Sequence, residues 1–480
     1  MDNINNYIDR ITHLANRNKA LNAQLQNLVG RYSQIQQQNE KFNQLLTRFN
    51  ETGETQSRDM LLQKQGKKVE HLRTVSLLYI SIGGFENFPE VQEQSELIDI
   101  LDEIYIAIDK VAEEFKISKI KSFGDNILFA AGLKNEYRTN PINITLAANK
   151  MQASVNHIFT SSNEEPFWKV KMGIHTGPVL ALDAQKQHNP SSISGDNINV
   201  TCRLGEACPP GKINMSEMTY ELVKEFFDIS HLGSMPVKYK GALNMFLVNG
   251  LNENLHVKGN TFEANDFFYT RYGDIQFMDI QEKILDLLEK NLPNNLFYHN
   301  VKHTVDVTTE VELIGWAEGL NEEEILLMKV AALFHDAGHI VDYKHHEHQG
   351  TLLAKQILPR YNFSQERINT ICRLIMATKL PPNPQDKMEE VMCDSDLDYL
   401  GRTDFIPVSN TLYRELRDRQ MIGSWQEWNK MQLKFIKNHQ YFTKTARDLR
   451  EVNKQQQIER LIQLLDTKEV DINIDRSLDF

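Results

Sequence analysis

The chain has 480 residues, 25% of them charged and 41% hydrophobic, and carries a net charge of −12. That length allows about three domains, and the acidic balance disfavours nucleic acid, whose phosphates need a basic surface. The chain has no run of about 18 apolar residues and no basic-then-apolar leader, so the sequence predicts a soluble, cytoplasmic protein with no membrane partner. The four cysteines (Cys202, Cys208, Cys372 and Cys393) show no C-x-x-C spacing, which indicates neither a disulfide framework nor a zinc finger.

Residues 4–49 carry a continuous heptad. Ile4, Ile11, Asn18, Leu25, Tyr32, Asn39 and Leu46 fall at a positions. Tyr7, Leu14, Leu21, Leu28, Ile35, Phe42 and Phe49 fall at d positions. This run predicts an α-helical coiled coil, and asparagine at two a positions favours a parallel, in-register homodimer. The alternative is one long helix packed on its own body. Residues 50–59 break the heptad, and LLQKQGKKVEHLRTV (61–75) reads as a second helix. The first region is therefore placed at 1–73.

Residues 74–250 alternate short apolar runs with helical patterns, near 91–116 and 140–160, which argues an α+β or α/β domain. In SFGDNIL a Gly-Asp turn sits between two apolar strands, a hairpin signal. Five segments carry a resemblance: LLYISIGGF (77–85), KSFGDNIL (121–128), GIHTGPVLA (173–181), SGDNINVTCRL (194–204) and VKYKG (237–241). Together they resemble the catalytic domain of class III nucleotide cyclases. The resemblance implies an α+β, ferredoxin-like fold that works as a dimer. It also implies nucleotide-binding roles for Lys121, Asp125, Asn199, Arg203 and Lys240. Such cyclases hold two metal ions with two aspartates. Asp125 matches the second, while Ser81 stands at the first and Ser192 at the base-selecting aspartate. A hydroxyl cannot replace a bridging carboxylate between two divalent cations. The domain is expected to be a degenerate cyclase that binds a nucleotide as a sensor or serves as a dimerisation fold.

The polar segment 251–266 reads as a linker, and residues 267–480 read as helical throughout. Seven of the fifteen histidines lie between His299 and His348, around the dipeptide His335-Asp336. Imidazole and carboxylate are common ligands of a hydrolytic metal. EEILLMKVAALF predicts a buried helix that ends at His335 and Asp336. His303, four residues after His299 and on the same helical face, is the third candidate. A carboxylate from CDSDLD (393–398) completes the set.

The elements HNxxHT, HD, HE and DxDLDYLGR resemble a phosphodiesterase-like branch of the HD superfamily of metal-dependent phosphohydrolases. The resemblance implies an all-α domain with His303, His335, Asp336 and Asp396 as ligands, and Asp394 competing for the last place. His346-Glu347 matches the HE element. The later histidine of two-metal members is absent from LIMATK (374–379), so one ion is expected. Manganese, iron, zinc, nickel, cobalt and magnesium all suit histidine and aspartate ligands. The ion would acidify a water and polarise a phosphoryl oxygen. Lys302, Lys344 or Lys379 would hold the phosphate, and His299 or His346 would move a proton.

Arg414, Arg417, Arg419, Arg447, Arg450 and Lys454 read as solvated helix faces or as the lining of an anionic pocket. The whole chain thus reads as multidomain: coiled coil, α+β cyclase-like domain and all-α HD domain. The functional expectation is a dimeric, cytoplasmic signalling phosphohydrolase acting on a cyclic or other nucleotide. The rivals are a cyclase with residual activity and a non-catalytic sensor or scaffold.

Overall fold

The computed structural model describes residues 69–83, 94–160, 169–182, 192–237 and 241–466. The heptad segment, with the coiled coil expected on it, and Lys240 lie outside the described residues. The chain divides into two compact units, Met1–Tyr272 and Gly273–Phe480.

The first unit is α+β. Its elements are β1 (Val69–Gly83), α1 (Gln94–Glu114), β2 (Ser118–Phe123), β3 (Asn126–Ala131), α2 (Asn140–Thr160), β4 (Lys169–Leu182), β5 (Ser192–Ser194), α3 (Asp196–Glu206), β6 (Lys212–Ser216), α4 (Glu217–Val223), β7 (Phe227–Val237) and β8 (Gly241–Leu251). The eight strands make one sheet of order β2-β3-β1-β4-β6-β8-β7, with β5 beside β4. The β4–β6 pair is parallel and β1 pairs antiparallel with both β3 and β4, so the sheet is mixed. Leu77, Leu78 and Ile80 of β1 and Met172 and Ile174 of β4 are fully buried at its centre.

The GIHTG segment places α3. A Cβ on Gly173 would overlap the Gly205 amide nitrogen and lie 2.6 Å from the Thr201 carbonyl, so α3 packs backbone-close on β4. Buried His175 holds the same contact, with Nδ1 2.8 Å from Ser216 Oγ and Nε2 3.0 Å from Asn197 Oδ1. In the expected hairpin, Gly124 takes the φ of +60° that the turn requires.

Two local expectations are corrected. Residues 69–75, read as the end of a helix, belong to β1, and Val69, His71 and Leu72 register against Leu182, Leu180 and Val179. The boundary drawn after residue 73 therefore falls inside a strand. Val69, Thr74 and Val75 are β-branched and suit a pleated surface, and pairing across the sheet overrides the helical spacing. The segment 251–266, read as a linker, carries the hairpin β9 (His256–Val257) and β10 (Asn260–Ala264), and β10 packs on β8. Its asparagines satisfy backbone groups. Asn265 Nδ2 donates to the carbonyls of Asn254 and His256, and its Oδ1 accepts from the Phe268 amide.

The second unit is all-helical. It contains α5 (Asp266–Asn291), through which the division passes, then α6 (Val301–Ala317), α7 (Glu322–Phe334), α8 (His346–Ile357), α9 (Gln365–Ala377), α10 (Lys387–Asp396), α11 (Phe405–Asp418), α12 (Trp425–Asn438) and α13 (Lys444–Asp466). None of the described helices is long and apolar enough to cross a membrane. Every residue of α7 from Ile325 to Phe334 except Lys329 is buried, as expected of a helix that is apolar on all sides. A capping box of Asn321 and Glu324 fixes its start.

Beyond α7, a 3-10 turn (Ala337–Ile340) leads toward α8. A Cβ on Gly338 would overlap the His346 carbonyl, and one on Gly350 would overlap the Phe334 carbonyl. The end of α7 and the start of α8 therefore meet backbone to backbone. Gly338→Ala should cost about 1–3 kcal/mol through overpacking. Denaturant unfolding of the full chain would show it as a lower midpoint with an unchanged slope.

Candidate metal centre

Each expected ligand sits at a helix terminus, where the chain direction is fixed by a cap or a close backbone contact. Asn300 caps α6, with Oδ1 accepting from the His303 amide at 3.1 Å, and so sets His303 in the first turn. His335 ends α7, Asp336 begins the 3-10 turn, and Asp396 is the last residue of α10.

Their side chains converge. His303 Nε2 lies 3.1 Å from Asp396 Oδ1 and 3.4 Å from Asp336 Oδ2. His335 Nε2 lies 3.2 Å from Asp336 Oδ2, 3.4 Å from Asp396 Oδ1 and 3.4 Å from His303 Nε2. Ligand bonds of about 2.0–2.2 Å around one ion place neighbouring donor atoms at such separations.

The protons support the same fit. His335 Nδ1 meets the Ala332 carbonyl at 2.7 Å and so carries the hydrogen. In the neutral ring, Nε2 then turns a lone pair toward two carboxylates, an arrangement that needs a cation or proton between them. Asp336 Oδ2 is buried and has no hydrogen-bond partner among the described residues. Burial alone would lower His335 and raise Asp336. Their mutual charge wins, holding His335 well above the usual imidazole range and Asp336 well below the carboxylate range. The donor set thus suits a divalent cation.

A second group shares Asp336. Its Oδ1 lies 3.8 Å from His339 Nε2 and 3.5 Å from His346 Nε2, and His299, Asp336 and His339 together could also hold an ion. The rings of His339 and His346 stack at 4.0 Å. Burial pushes His339 down to about 3, leaving it neutral and able to ligate. The expectation of one ion rested on the missing histidine after the HE segment. His339, from a different position, fills out the second group. Its signal was its place three residues after Asp336.

Glu415 was not legible either. It is fully buried, 116 residues from His299, and its Oε1 lies 2.5 Å from His299 Nδ1. Its Oε2 accepts from the amides of Tyr298 and His299 at 3.0 and 3.2 Å, and the Tyr343 hydroxyl donates to Oε1 at 3.0 Å. Burial would raise Glu415, but the His299 hydrogen bond and charge, then the two amides, hold it down at about 2. His299 is raised: burial works against it, and Asp336 and Glu415 outweigh burial.

Asp394 is not brought into either group. Its oxygens accept from the amides of Phe442 and Thr443 at 2.9 and 2.7 Å, at the entry to α13. Helical residues two apart point roughly 200° apart, so Asp394 and Asp396 face different partners. Cys393 is a small buried residue whose Sγ meets the Ala377 carbonyl.

Lys302 is exposed, pairs with Asp306 at 2.6 Å, and stands on a cavity of about 260 Å³ that also touches His303 and Asp396. Lys344 and Lys379 are exposed. His346 is half-buried, with Nδ1 on the Tyr343 carbonyl. The basic tail divides: Arg414, Arg417 and Arg447 are exposed, while Arg419, Arg450 and Lys454 are at least partly buried. Arg450 binds Asp398, Lys454 is buried on the His439 carbonyl, and Arg419 and Arg414 lie over Tyr343 and Phe297.

In the first unit, Ser81 registers against Asn126 across β1 and β3. Asn126 Nδ2 donates to Asp125 Oδ1 at 2.8 Å while its Oδ1 accepts from the Tyr79 hydroxyl at 2.7 Å. Asp125 belongs to no metal-capable group among the described residues. Lys121, Asn199 and Arg203 are exposed, the last two one turn apart on α3.

Residues 67–250 match the family model described as the adenylate and guanylate cyclase catalytic domain, and residues 300–402 match the model of the HD domain. The chain therefore carries a cyclase-type catalytic domain followed by an HD domain. Curated relatives match over the first of these. Guanylate cyclase soluble subunit beta-2 of Rattus norvegicus is 25% identical over 193 residues, 39% of this chain and 28% of that protein. Guanylate cyclase soluble subunit alpha-1 of Bos taurus is 29% identical over 163 residues, 34% of this chain and 23% of that protein. The chain thus spans about a quarter of the length of these relatives. Among solved structures, the adenylyl cyclase CyaB from P. aeruginosa aligns at 19% identity and a TM-score of 0.36, covering 39% of this chain and 99% of that one. The guanylate cyclase domain of RhGC from Catenaria anguillulae, in complex with GTP, aligns at 21% identity and a TM-score of 0.34, covering 38% and 100%.

A manganese or zinc salt should stabilise the second unit by about 2.7 kcal/mol at a hundredfold excess over the dissociation constant. Thermal melting with and without metal would read this shift. Asp336→Ala should abolish it.

Proposed function

We propose that the HD unit is a metal-dependent phosphohydrolase acting on a nucleotide, either a cyclic phosphodiester or another phosphoester. The observation that carries this reading is the convergence of His303, His335, Asp336 and Asp396 beside a histidine, His299, held by a buried carboxylate. These four residues would hold manganese, iron, zinc, nickel, cobalt or magnesium, whose chemistry when bound is to polarise a phosphoryl oxygen and acidify a water. A second ion would use His339 and the other oxygen of Asp336, with His299 or His346 as the third ligand.

The chain's own residues do the rest. Glu415 accepts the hydrogen bond from His299 Nδ1–H and fixes the ring, which leaves Nε2 as the atom to act. Glu415 favours the protonated form of His299, and that form can give its Nε2 proton to the leaving oxygen, the role of a general acid. His346, half-buried, with its Nδ1 tied to the Tyr343 carbonyl, is the further proton-moving group where no second ion takes its Nε2. Lys302, at the edge of the cavity, answers phosphate charge once it leaves Asp306.

The first unit would bind a nucleotide through Lys121, Asp125, Asn199, Arg203 and Lys240 and regulate hydrolysis in a cytoplasmic homodimer. Regulation requires the nucleotide to prefer one arrangement of the protein. Cyclisation of a nucleoside triphosphate is the second reading, supported by the matched family and its guanylate cyclase relatives. Ser81 weighs against it, since Asp125 is paired with an amide and not with a second acid. The third reading is a sensor or scaffold whose metal is structural.

The test is a screen of the manganese-loaded full chain against cyclic mononucleotides, cyclic dinucleotides, nucleoside triphosphates and monophosphates. One class should turn over, and Asp336→Ala should abolish that turnover. Glu415→Gln should lower kcat and shift the alkaline limb of the pH–rate profile to lower pH. The sign follows from Glu415 raising His299: without that charge the acid form is lost earlier as pH rises. No turnover of any class with metal bound would leave the sensor reading.

A further inference from the structure

The cavity beside His303 and Asp396 has a wall that the proposed hydrolysis leaves unused. Tyr298, Tyr399, Val307 and Val408 line it with flat or apolar surface, of the kind that accepts a planar ring. Asp398 lines it as well and is only 3% exposed. Its Oδ1 accepts from Arg450 Nε at 2.6 Å, but its buried Oδ2 has no hydrogen-bond partner among the described residues. Glu310 lines the same cavity, with Oε1 3.6 Å from Arg450 Nη2, and burial and the Asp398 charge push it up to about 7.

The cations of this wall are already engaged. Arg402 binds Asp306 and Asp404, and Lys302 binds Asp306. The lining therefore offers carboxylates and hydroxyls, including Ser395 Oγ, which has no hydrogen-bond partner among the described residues, while its cations are paired. A buried carboxylate oxygen without a partner is costly, and a ligand that brings a donor removes that cost.

Among the common bases, guanine presents two adjacent donors on one edge, N1–H and the N2 amino group. Adenine's corresponding edge sets a ring nitrogen lone pair beside its amino group, which a carboxylate repels. We propose that this cavity is a base-selecting subsite for a guanine nucleotide, with Asp398 Oδ2 accepting from the donor edge, Glu310 beside it, and Tyr298 and Tyr399, in contact with each other, forming one wall against the ring. The substrate class follows from this wall, and the inference rests on the reading of the HD unit as a nucleotide phosphohydrolase.

Calorimetric titration of the manganese-loaded full chain with GMP, IMP and AMP tests it. IMP differs from GMP only in lacking the N2 amino group. GMP should bind about 10- to 100-fold more tightly than IMP or AMP, the fold-change that a hydrogen bond to a charged acceptor carries. The preference should survive Lys258→Ala, an exposed position outside both proposed sites, and shrink in Asp398→Asn. Should Asp398→Asn fail to fold once Arg450 loses its anion, Glu310→Gln provides the same GMP-to-IMP ratio. Equal affinities for the three nucleotides would overturn the subsite, as would a preference lost in Lys121→Ala of the first unit and kept in both cavity variants. Equal hydrolysis of guanine and adenine substrates, with equal binding, removes base selection and leaves the phosphohydrolase reading intact. Guanine-selective binding without turnover of any phosphoester keeps the subsite and removes that reading.

Discussion

Two imidazole nitrogens lie 3.4 Å apart, and each lies within 3.4 Å of the same two carboxylate oxygens, in a largely buried space. Without a positive charge at their centre they repel, and water is too scarce there to screen them. Much of the second unit can be understood as the scaffold that opposes this repulsion. The all-round apolar α7 anchors His335 and Asp336, the Asn300 cap fixes His303, and two glycines let α7 and α8 meet backbone to backbone. The carboxylates that draw a proton onto His335 in the empty cluster also suit it to a cation.

Around that cluster a buried carboxylate performs a second task. Glu415 accepts two backbone amides, a tyrosine hydroxyl and His299, so its charge is fully hydrogen-bonded. A buried charge satisfied this way is tolerable, and it fixes both the orientation and the protonation of His299. The first unit shows the opposite case. Asp125 faces the amide of Asn126, and Ser81 supplies no second charge, so the geometry there carries no comparable demand for a divalent ion.

Sequence legibility followed the range of the interaction. The ligand candidates could be found because each sits beside an apolar run or a cap signal within a few residues. The choice between Asp394 and Asp396 needed helical phase, which turns the first toward the entry of α13 and the second toward the histidines. Glu415 could not be found, because nothing local links it to a histidine 116 positions earlier. The start of β1 was misread because seven residues of mixed spacing fit a helix or a strand, and only pairing with β4 decides between them. The hairpin β9–β10 was hidden for a related reason. Its polar asparagines suggest a loop, yet their side chains satisfy the backbone of an ordered turn.

The most direct test of the central claim is where a metal goes. Crystals of the full chain grown with manganese, measured at the manganese absorption edge, should show an anomalous peak enclosed by His303, His335, Asp336 and Asp396. A second, weaker peak between Asp336, His339 and His346 would be consistent with the account. A well-ordered second unit with no peak among those four side chains, or with its manganese bound elsewhere, would contradict it.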